Sequence, residues 1–201
     1  NIDQIIDYIY SKSIRVSIIT NGSLLTEDFI KNNCSKIESI GISVDSLIDS
    51  TNMAIGRNFR GKTLSKDELI NKCKWIKENG IKLKINTCVS GLNVNEDFNG
   101  FLDLVKPDRY KILQMLIYDD NLMVNKAKRE ELKEFVKKHK RENTVFESAD
   151  ELNKSYVIID SSGCLSTNNL HQSKFSVFEN DIADIIDRLD VDYKNYLKRY
   201  I

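Results

Sequence analysis

The chain has 201 residues, 41% of them hydrophobic, and its 30 basic and 30 acidic side chains cancel to a formal net charge of zero. This balance excludes a global electrostatic field that would recruit nucleic acid or a membrane surface, so any phosphate binding must come from local clustering. The chain has one proline, and no apolar run approaches the roughly 20 residues that span a bilayer. No signal peptide is visible in the sequence as it stands, so we expect a single globular domain in the cytoplasm.

The first part of the chain alternates between helical and β-strand patterns. Isoleucines at helical spacing predict a first helix, and because the chain opens on Asn1 without methionine, we expect a fragment or a processed chain. Thr26 and Ser65 are suitable N-caps for two further helices, and Gly80 follows the second of them. The predicted elements are helices over residues 2–12, 24–33, 64–79, 95–105 and 125–140 and strands over 15–20, 39–44, 82–89 and 110–117.

This alternation predicts right-handed crossovers and a parallel sheet, so the fold class is α/β with an incomplete barrel. The pattern changes after Arg141. Short apolar runs over 144–147 and 155–160, a Ser-Ser-Gly turn and a return at Cys164 indicate a hairpin, and two helices over 177–189 and 192–200 end the chain. We therefore expect a barrel core over 1–141 and an extension over 142–201 that closes the active site.

The four cysteines are too far apart for a metal-binding motif. None lies two to four residues from another, and there are only two histidines, so we expect no zinc or iron–sulfur ligand cluster within this chain. Without a secretory signal, free thiols are expected at Cys34, Cys73, Cys88 and Cys164.

Two predicted strands carry polar residues at alternate positions. Lys84 and Asn86 share one face of their strand, and Arg109 and Lys111 share one face of the next. A buried parallel strand is normally a continuous apolar run, and cations on its inner face are costly unless an anion meets them. The pattern indicates a polyanion site at the mouth of the barrel. The alternative is a pair of edge strands with a solvated face.

Polar residues also lie at the ends of four predicted strands. Asn21, Ser43, Asn86 and Gln114 occupy such positions, and ligands of parallel α/β folds bind at the carboxyl ends of the strands. Each of them is equally suited to a turn or a helix cap. Arg57, in a loop, is able to hold a carboxylate in two parallel hydrogen bonds or to pair with a helix acid.

Three short motifs occur together: Asn52-Met-Ala-Ile-Gly-Arg57, Lys84-Ile-Asn86 and Arg109-Tyr-Lys111. Together with several further segments, these motifs resemble, in the same order, the core of the viperin family of radical S-adenosylmethionine enzymes. The amino-acid composition is similar to that of a microbial member. The further similar segments are residues 17–24, 42–46, 93–97, 107–114, 135–140, 155–160 and 197–199.

The resemblance implies a partial (βα)6 TIM-like barrel in which a [4Fe-4S] cluster, fed by an electron donor, reduces bound S-adenosylmethionine to release a 5′-deoxyadenosyl radical. In the family, this radical removes the 4′ hydrogen of a nucleoside triphosphate (CTP, UTP or GTP). Loss of water then leaves a 3′-deoxy-3′,4′-didehydro nucleotide that terminates viral chains. The implied activity is a radical lyase of antiviral defence.

The resemblance also implies roles for individual residues. Tyr156 is implied as a catalytic proton or hydrogen donor near the ribose, and its alternative is an ordinary core tyrosine. The implied cofactor-binding residues are Asn21, Ser43, Arg57, Asn86 and Gln114. The implied substrate-binding residues are Lys84, Asn86, Arg109, Lys111, Tyr156 and Lys174.

Two motifs of the family are missing from the chain. The Cys-x3-Cys-x2-Cys cluster motif and the Gly-Gly-Glu-Pro segment belong upstream of Asn1, together with the first two barrel strands, so we expect this chain to be inactive alone. One alternative is a non-catalytic remnant that binds a nucleotide or a partner through the retained cations. Another is a radical S-adenosylmethionine enzyme that acts on a different phosphorylated substrate.

Overall fold

The structure is a computed structural model that describes residues 1–117, 123, 125–167 and 175–197. It divides into two compact units. The first contains Asn1–Met115 and Asn121–Phe146, and the second contains Leu116–Asp120 and Glu147–Ile201.

Helices and strands alternate through most of the chain. The described helices are α1 Ile2–Ser11, α2 Glu27–Asn33, α3 Asp49–Ala54, α4 Lys66–Glu78, α5 Asn99–Val105, α6 Arg129–Lys138, α7 Ala149–Leu152, α8 Ile182–Arg188 and α9 Tyr193–Leu197. The described strands are β1 Val16–Thr20, β2 Ile37–Ser43, β3 Lys82–Val89, β4 Arg109–Gln114, β5 Thr144–Glu147, β6 Val157–Ile159, β7 Cys164–Thr167 and β8 Phe175–Ser176.

The first five strands form one sheet in sequence order, β1-β2-β3-β4-β5. The pairs β1–β2, β2–β3 and β3–β4 are all parallel, each joined by a crossover that contains a helix. The predicted α/β class with a parallel sheet is therefore confirmed. Within the described ranges the sheet does not close into a barrel.

One face of this sheet packs into the hydrophobic core. Ile40, Ile42, Leu83, Ile85 and Ile112 point to this face and are completely buried. Each contributes about 1.5–3 kcal/mol by leaving water. Because successive strand residues point to opposite faces, the residues between them lie on the other face, where the polar side chains gather.

Local capping explains why α4 begins and ends where the sequence predicts. The Ser65 hydroxyl accepts a hydrogen bond from the backbone N–H of Glu68 at 3.3 Å, and the Glu68 carboxylate accepts one from the backbone N–H of Ser65 at 2.8 Å. This reciprocal capping box satisfies two N–H groups that the helix itself leaves unpaired. Gly80, with φ +74°, ends the helix in a backbone conformation that glycine adopts without strain.

Helix α5 begins later than the predicted 95–105, because the side chain of Asn93 organises a turn before it. The Asn93 carbonyl oxygen accepts from the backbone N–H of Ser90 at 2.8 Å, and its amide donates to the carbonyl oxygens of Asp45 and Cys88 at 2.6 and 2.9 Å. Such side-chain bonds to the backbone compete with helix formation. The buried Asn93 thereby joins this turn to the ends of β2 and β3.

The second unit contains the antiparallel sheet β6-β7-β8. The predicted hairpin is confirmed as β6 and β7, although the two-residue strand β8 was not predicted. The run 144–147, expected in the hairpin region, instead forms β5 of the first sheet. Helix α8 starts at Ile182 rather than 177, because the carboxylate of Asp181 caps it by accepting from the backbone N–H of Ala183 at 2.8 Å. None of the helices in the described part of the chain is long and apolar enough to cross a membrane.

Candidate functional site

The face of the first sheet that is turned away from the helical core carries a connected set of polar residues. Strand pairing aligns them in rows, because paired residues of parallel strands point to the same face. We call this surface the polar face and define it by Ser17 of β1, Ser39, Gly41 and Ser43 of β2, Lys84 and Asn86 of β3, and Arg109 and Lys111 of β4.

Two cations occupy one row of the polar face. Lys84 pairs directly with Arg109, and both side chains are half-buried. Burial lowers the pKa of Lys84, and the positive charges of Arg109 and Lys111 lower it further, against the opposite effect of Glu38. Partial desolvation and like-charge repulsion both act on the ammonium group, so an anion bound here would relieve an unfavourable interaction.

The next row towards the carboxyl ends contains Ser43, Asn86 and Lys111, which pair in that order across β2, β3 and β4. Asn86 is buried, and Gly41 leaves the space that its amide occupies. A Cβ atom at Gly41 would lie 3.2 Å from Asn86 Nδ2 and 3.5 Å from Lys84 Cβ. The absence of a side chain at Gly41 of β2 therefore allows the Lys84 and Asn86 side chains of β3 to extend across that strand.

A cleft opens at the carboxyl ends of β1 and β2. Arg57 reaches it from the loop after α3 and forms an ion pair, through Nε, with Asp45. The Asp45 side chain is 7% exposed and that of Arg57 38%, so the guanidinium keeps contact with the cleft. Of the two predicted options for Arg57, a salt bridge does form, but its acid follows β2 and does not belong to a helix. The residues that line the cleft are Asn21, Ser23, Ser43, Val44, Asp45, Ser46, Asn52, Arg57, Asn58, Phe59, Lys62, Leu64 and Leu69.

These lining groups suit a ligand that carries a carboxylate, such as an amino acid or S-adenosylmethionine. The partly exposed guanidinium of Arg57 matches a carboxylate, and the hydroxyl of Ser43 and the amide of Asn52 supply neutral donors and acceptors around it. The carboxylate of Asp45 in the same lining is paired with Arg57 and holds the guanidinium in place. The cleft thus contains three of the predicted cofactor-binding residues, Asn21, Ser43 and Arg57.

Asp45, like Ser43, was expected at the end of the second strand, but its contacts and those of Lys72 were not predicted. Asp45 Oδ1 accepts from the backbone N–H of Cys88 at 2.7 Å, which joins the ends of β2 and β3. The buried Lys72 of α4 donates to the carbonyl oxygen of Leu25 at 2.7 Å and so anchors the segment that follows Asn21. These roles depend on partners distant in sequence, so spacing along the chain carries no signal for them.

The remaining predicted site residues lie elsewhere. Gln114 ends β4, but strand alternation puts it on the face of Tyr110 and Ile112, opposite Lys111. Tyr156 belongs to the second unit, where its hydroxyl lies 3.4 Å from a carboxylate oxygen of the buried Glu147. Lys174 lies outside the described residues. The roles of Tyr156 and Lys174 stay predictions.

The thiols are buried to different degrees and none forms a disulfide. Burial raises the pKa of Cys73 to about 12 and that of Cys88 to about 11, where the carboxylate of Asp45 adds to the effect. In the part of the chain that the structure describes, no three histidine, cysteine or acidic side chains come together as a metal site requires. These residues therefore do not fit a [4Fe-4S] cluster, which needs cysteine thiolates.

The chain is similar to several curated proteins named S-adenosylmethionine-dependent nucleotide dehydratase. It is 34% identical over 190 residues to the protein of Lacinutrix mariniflava, covering 90% of this chain and 40% of that protein. Against the protein of Flammeovirga pacifica it is 30% identical over 192 residues, covering 90% and 65%. Against the dehydratase RSAD2 of Danio rerio it is 31% identical over 155 residues, covering 72% and 43%. The chain thus spans less than two thirds of the length of these relatives. No protein-family model matches it.

Two solved structures with a similar fold contain bound S-adenosylmethionine. SuiB of Streptococcus suis, in a crystal structure bound to S-adenosylmethionine, gives a TM-score of 0.65 at 20% identity and covers 92% of this chain and 51% of its own. The protein anSMEcpe, bound to AdoMet and a peptide, gives 0.62 at 11% identity and covers 92% and 59%. At such identities the likeness concerns the fold alone, and it assigns the sheet to the partial-barrel architecture.

Proposed function

Because the chain is a viperin-like homologue of the S-adenosylmethionine-dependent nucleotide dehydratases, we propose that the protein to which it belongs removes water from a nucleoside triphosphate. The product would be the 3′-deoxy-3′,4′-didehydro nucleotide, from CTP, UTP or GTP. S-adenosylmethionine, when bound, would supply the radical that abstracts the 4′ hydrogen.

The observation that carries this proposal is the row of Lys84 and Arg109 beside Lys111 on the polar face. Burial and the nearby cations Arg109, Lys111 and Lys82 lower the pKa of Lys84, against the opposite effect of Glu38. A triphosphate brings about four negative charges, which would neutralise this cluster in an environment where Coulomb attraction is stronger than in bulk water. Arginine and lysine are both well suited to phosphate oxygens.

Different residues of the chain would bind the two ligands, S-adenosylmethionine and the nucleotide. Arg57, held by Asp45, and Ser43 would bind and orient S-adenosylmethionine at the ends of β1 and β2. Asn86 lies in the same row as Ser43 and next to the cation row, so it would position the ribose between cofactor and triphosphate. The cluster ligands are expected upstream of Asn1, and we assign no residue described here to them.

The test uses the protein expressed from its complete reading frame, reconstituted with iron and sulfide and supplied with a reductant and S-adenosylmethionine. It is incubated separately with CTP, UTP, GTP and ATP, and mass spectrometry follows 5′-deoxyadenosine together with a nucleotide product lighter by one water. We expect at least one nucleotide to stimulate deoxyadenosine release well above the nucleotide-free control. If no nucleotide stimulates release, the dehydratase proposal fails.

The Lys84→Ala variant separates nucleotide chemistry from uncoupled cleavage of the cofactor. It should release deoxyadenosine at the same rate as the nucleotide-free wild type and lose the part of the release that depends on nucleotide. A protein that binds nucleotides tightly but releases no deoxyadenosine would instead support the non-catalytic alternative.

A further inference from the structure

A pair of serine hydroxyls lies beside the cation row on the polar face. Ser17 of β1 and Ser39 of β2 pair in the sheet, and their Oγ atoms are 2.7 Å apart. The Lys84 ammonium reaches across β2 and donates to Ser17 Oγ at 3.4 Å. The glycine at position 41 makes this reach possible, because its row would otherwise hold a side chain between β1 and β3.

The two hydroxyls have different surroundings. Ser39 is 1% exposed, so its proton must be used inside the protein, and Ser17 Oγ is the partner within reach. Ser17 is exposed. If Ser39 donates to Ser17 while Lys84 also donates to it, both hydrogen bonds draw electron density from the Ser17 oxygen. The Ser17 proton is then left to donate outward, and such polarised hydroxyls are stronger donors.

The order of the rows in the sheet also indicates in which direction the phosphate chain of a bound nucleotide would extend. Of the three rows concerned, that of Asn86 lies nearest the carboxyl ends of the strands. Lys84 and Arg109 lie in the row below it, and Ser17, Ser39 and Lys82 lie in the next row down. Consecutive rows on one face are separated by two residues, or about 6.6 Å. A nucleotide with its ribose at Asn86 would therefore extend its phosphate chain past Lys84 towards Ser17.

We propose that Ser17, oriented by Ser39 and Lys84, donates a hydrogen bond to the terminal phosphate of the nucleotide and so favours triphosphates over diphosphates. This inference rests on the proposed function, from which it takes the nucleotide as the ligand and the position of its ribose at Asn86. It assigns to the described face a phosphate subsite made of a neutral hydroxyl next to a cation, a combination that recognises an anion without adding further like-charge repulsion.

The experiment measures binding by isothermal titration calorimetry with the complete protein and the series CTP, CDP and CMP, or the same series of whichever base binds most tightly. Ser17→Ala should weaken triphosphate binding five- to tenfold and change diphosphate binding by less than twofold. Ser17→Thr, which keeps the hydroxyl and suits a strand, should restore triphosphate binding to within twofold. Ser39→Ala should weaken triphosphate binding two- to threefold, because Ser17 loses the group that orients it.

The matched control is Ser35→Ala, which changes an exposed serine outside the polar face. Its triphosphate binding should equal that of the wild type. Unchanged triphosphate binding in Ser17→Ala would overturn the inference, and so would an equal loss for triphosphate and diphosphate. Lys84→Ala, measured in parallel, separates the two proposals. If it weakens binding while Ser17→Ala does not, only the hydroxyl subsite falls; if the wild-type protein binds no nucleotide, both fall.

Discussion

The carboxylate of Asp45 forms an ion pair with the guanidinium of Arg57 on one oxygen and accepts the backbone N–H of Cys88 on the other. The proposed cofactor-binding arginine is thus fixed to the strand that carries Lys84 and Asn86. Any change at Asp45 should act on both the cleft and the end of β3.

For Asp45→Asn we expect weaker S-adenosylmethionine binding, by several-fold, and a free energy of unfolding lower by about 1–2 kcal/mol, because one charge-assisted hydrogen bond is lost and Arg57 loses its counterion. Equilibrium binding and urea denaturation measure the two effects. The control Asp103→Asn removes the exposed partner of Arg141 and should cost less than about 1 kcal/mol. Cofactor binding equal to that of the wild type in Asp45→Asn would contradict the positioning role.

Lys84→Ala and Arg109→Ala should each weaken triphosphate binding by roughly 1.5–3 kcal/mol, the range for hydrogen bonds to charged groups. Without nucleotide, neither variant should be less stable, because removing one cation relieves the repulsion in the row. Titration calorimetry and thermal unfolding give the two quantities. The control is Lys133→Ala, at an exposed position of α6. Unchanged triphosphate affinity in Lys84→Ala and Arg109→Ala would assign these two residues a purely structural role.

Gly41→Ala tests whether the space over β2 serves the ligand. The new methyl group would meet Asn86 Nδ2 at 3.2 Å, so we expect a displaced amide and nucleotide affinity lower by a few-fold, with little change in stability. Gly100→Ala in α5, where an added Cβ meets nothing within 4 Å, should leave binding unchanged and stabilise the helix by about 0.5–1 kcal/mol. Equal binding by both variants would show that the space at Gly41 is not used.

His139 should make stability depend on pH. Its Nε2 accepts from the backbone N–H of Phe98 at 3.0 Å, so the ring proton lies on Nδ1, which donates to the Phe135 carbonyl oxygen at 2.9 Å. Burial lowers the pKa of His139 below its usual 6.5, while Asp97 opposes the shift and Lys138 adds to it. The folded protein therefore excludes a proton that the unfolded chain accepts.

Well above pH 6.5 His139 is neutral in both the folded and the unfolded protein, so its contribution to the free energy of unfolding is complete. As the pH falls below 6.5 the unfolded chain is protonated first, so the free energy of unfolding should fall by up to about 1.4 kcal/mol per pH unit. Urea denaturation between pH 5.5 and 7.5 measures this slope. His139→Gln should flatten it, and an unchanged slope in that variant would assign the pH dependence to other groups.

The sheet and the shared face of its cations could be predicted because both follow from local patterns. Polar residues at every second position of Lys84–Asn86 and Arg109–Lys111 define a strand face, and alternation with helices defines parallel pairing. The row in which Lys84 meets Arg109 could not be predicted, since register depends on contacts between distant segments.

The helices and the strand that the sequence patterns did not predict are short. Helices α3 and α7 and strand β8 have six, four and two residues, too few for a hydrophobic period to appear. The ion-pair partner of Arg57 could not be predicted from the sequence either. Asp45 resembles any strand-end turn residue in sequence, and only its bonds to Arg57 and Cys88 distinguish it.

The alternation of charge along β4 has a consequence for folding as well as for ligand binding. If β4 slipped by one residue against β3, Arg109 and Lys111 would enter the apolar core and Tyr110 and Ile112 would leave it. That misaligned sheet would bury two uncompensated cations, at a cost of several kcal/mol for each, which is a large share of the stability of a typical domain. The side chains proposed to hold the substrate thus also reject the wrong strand alignment while the chain folds.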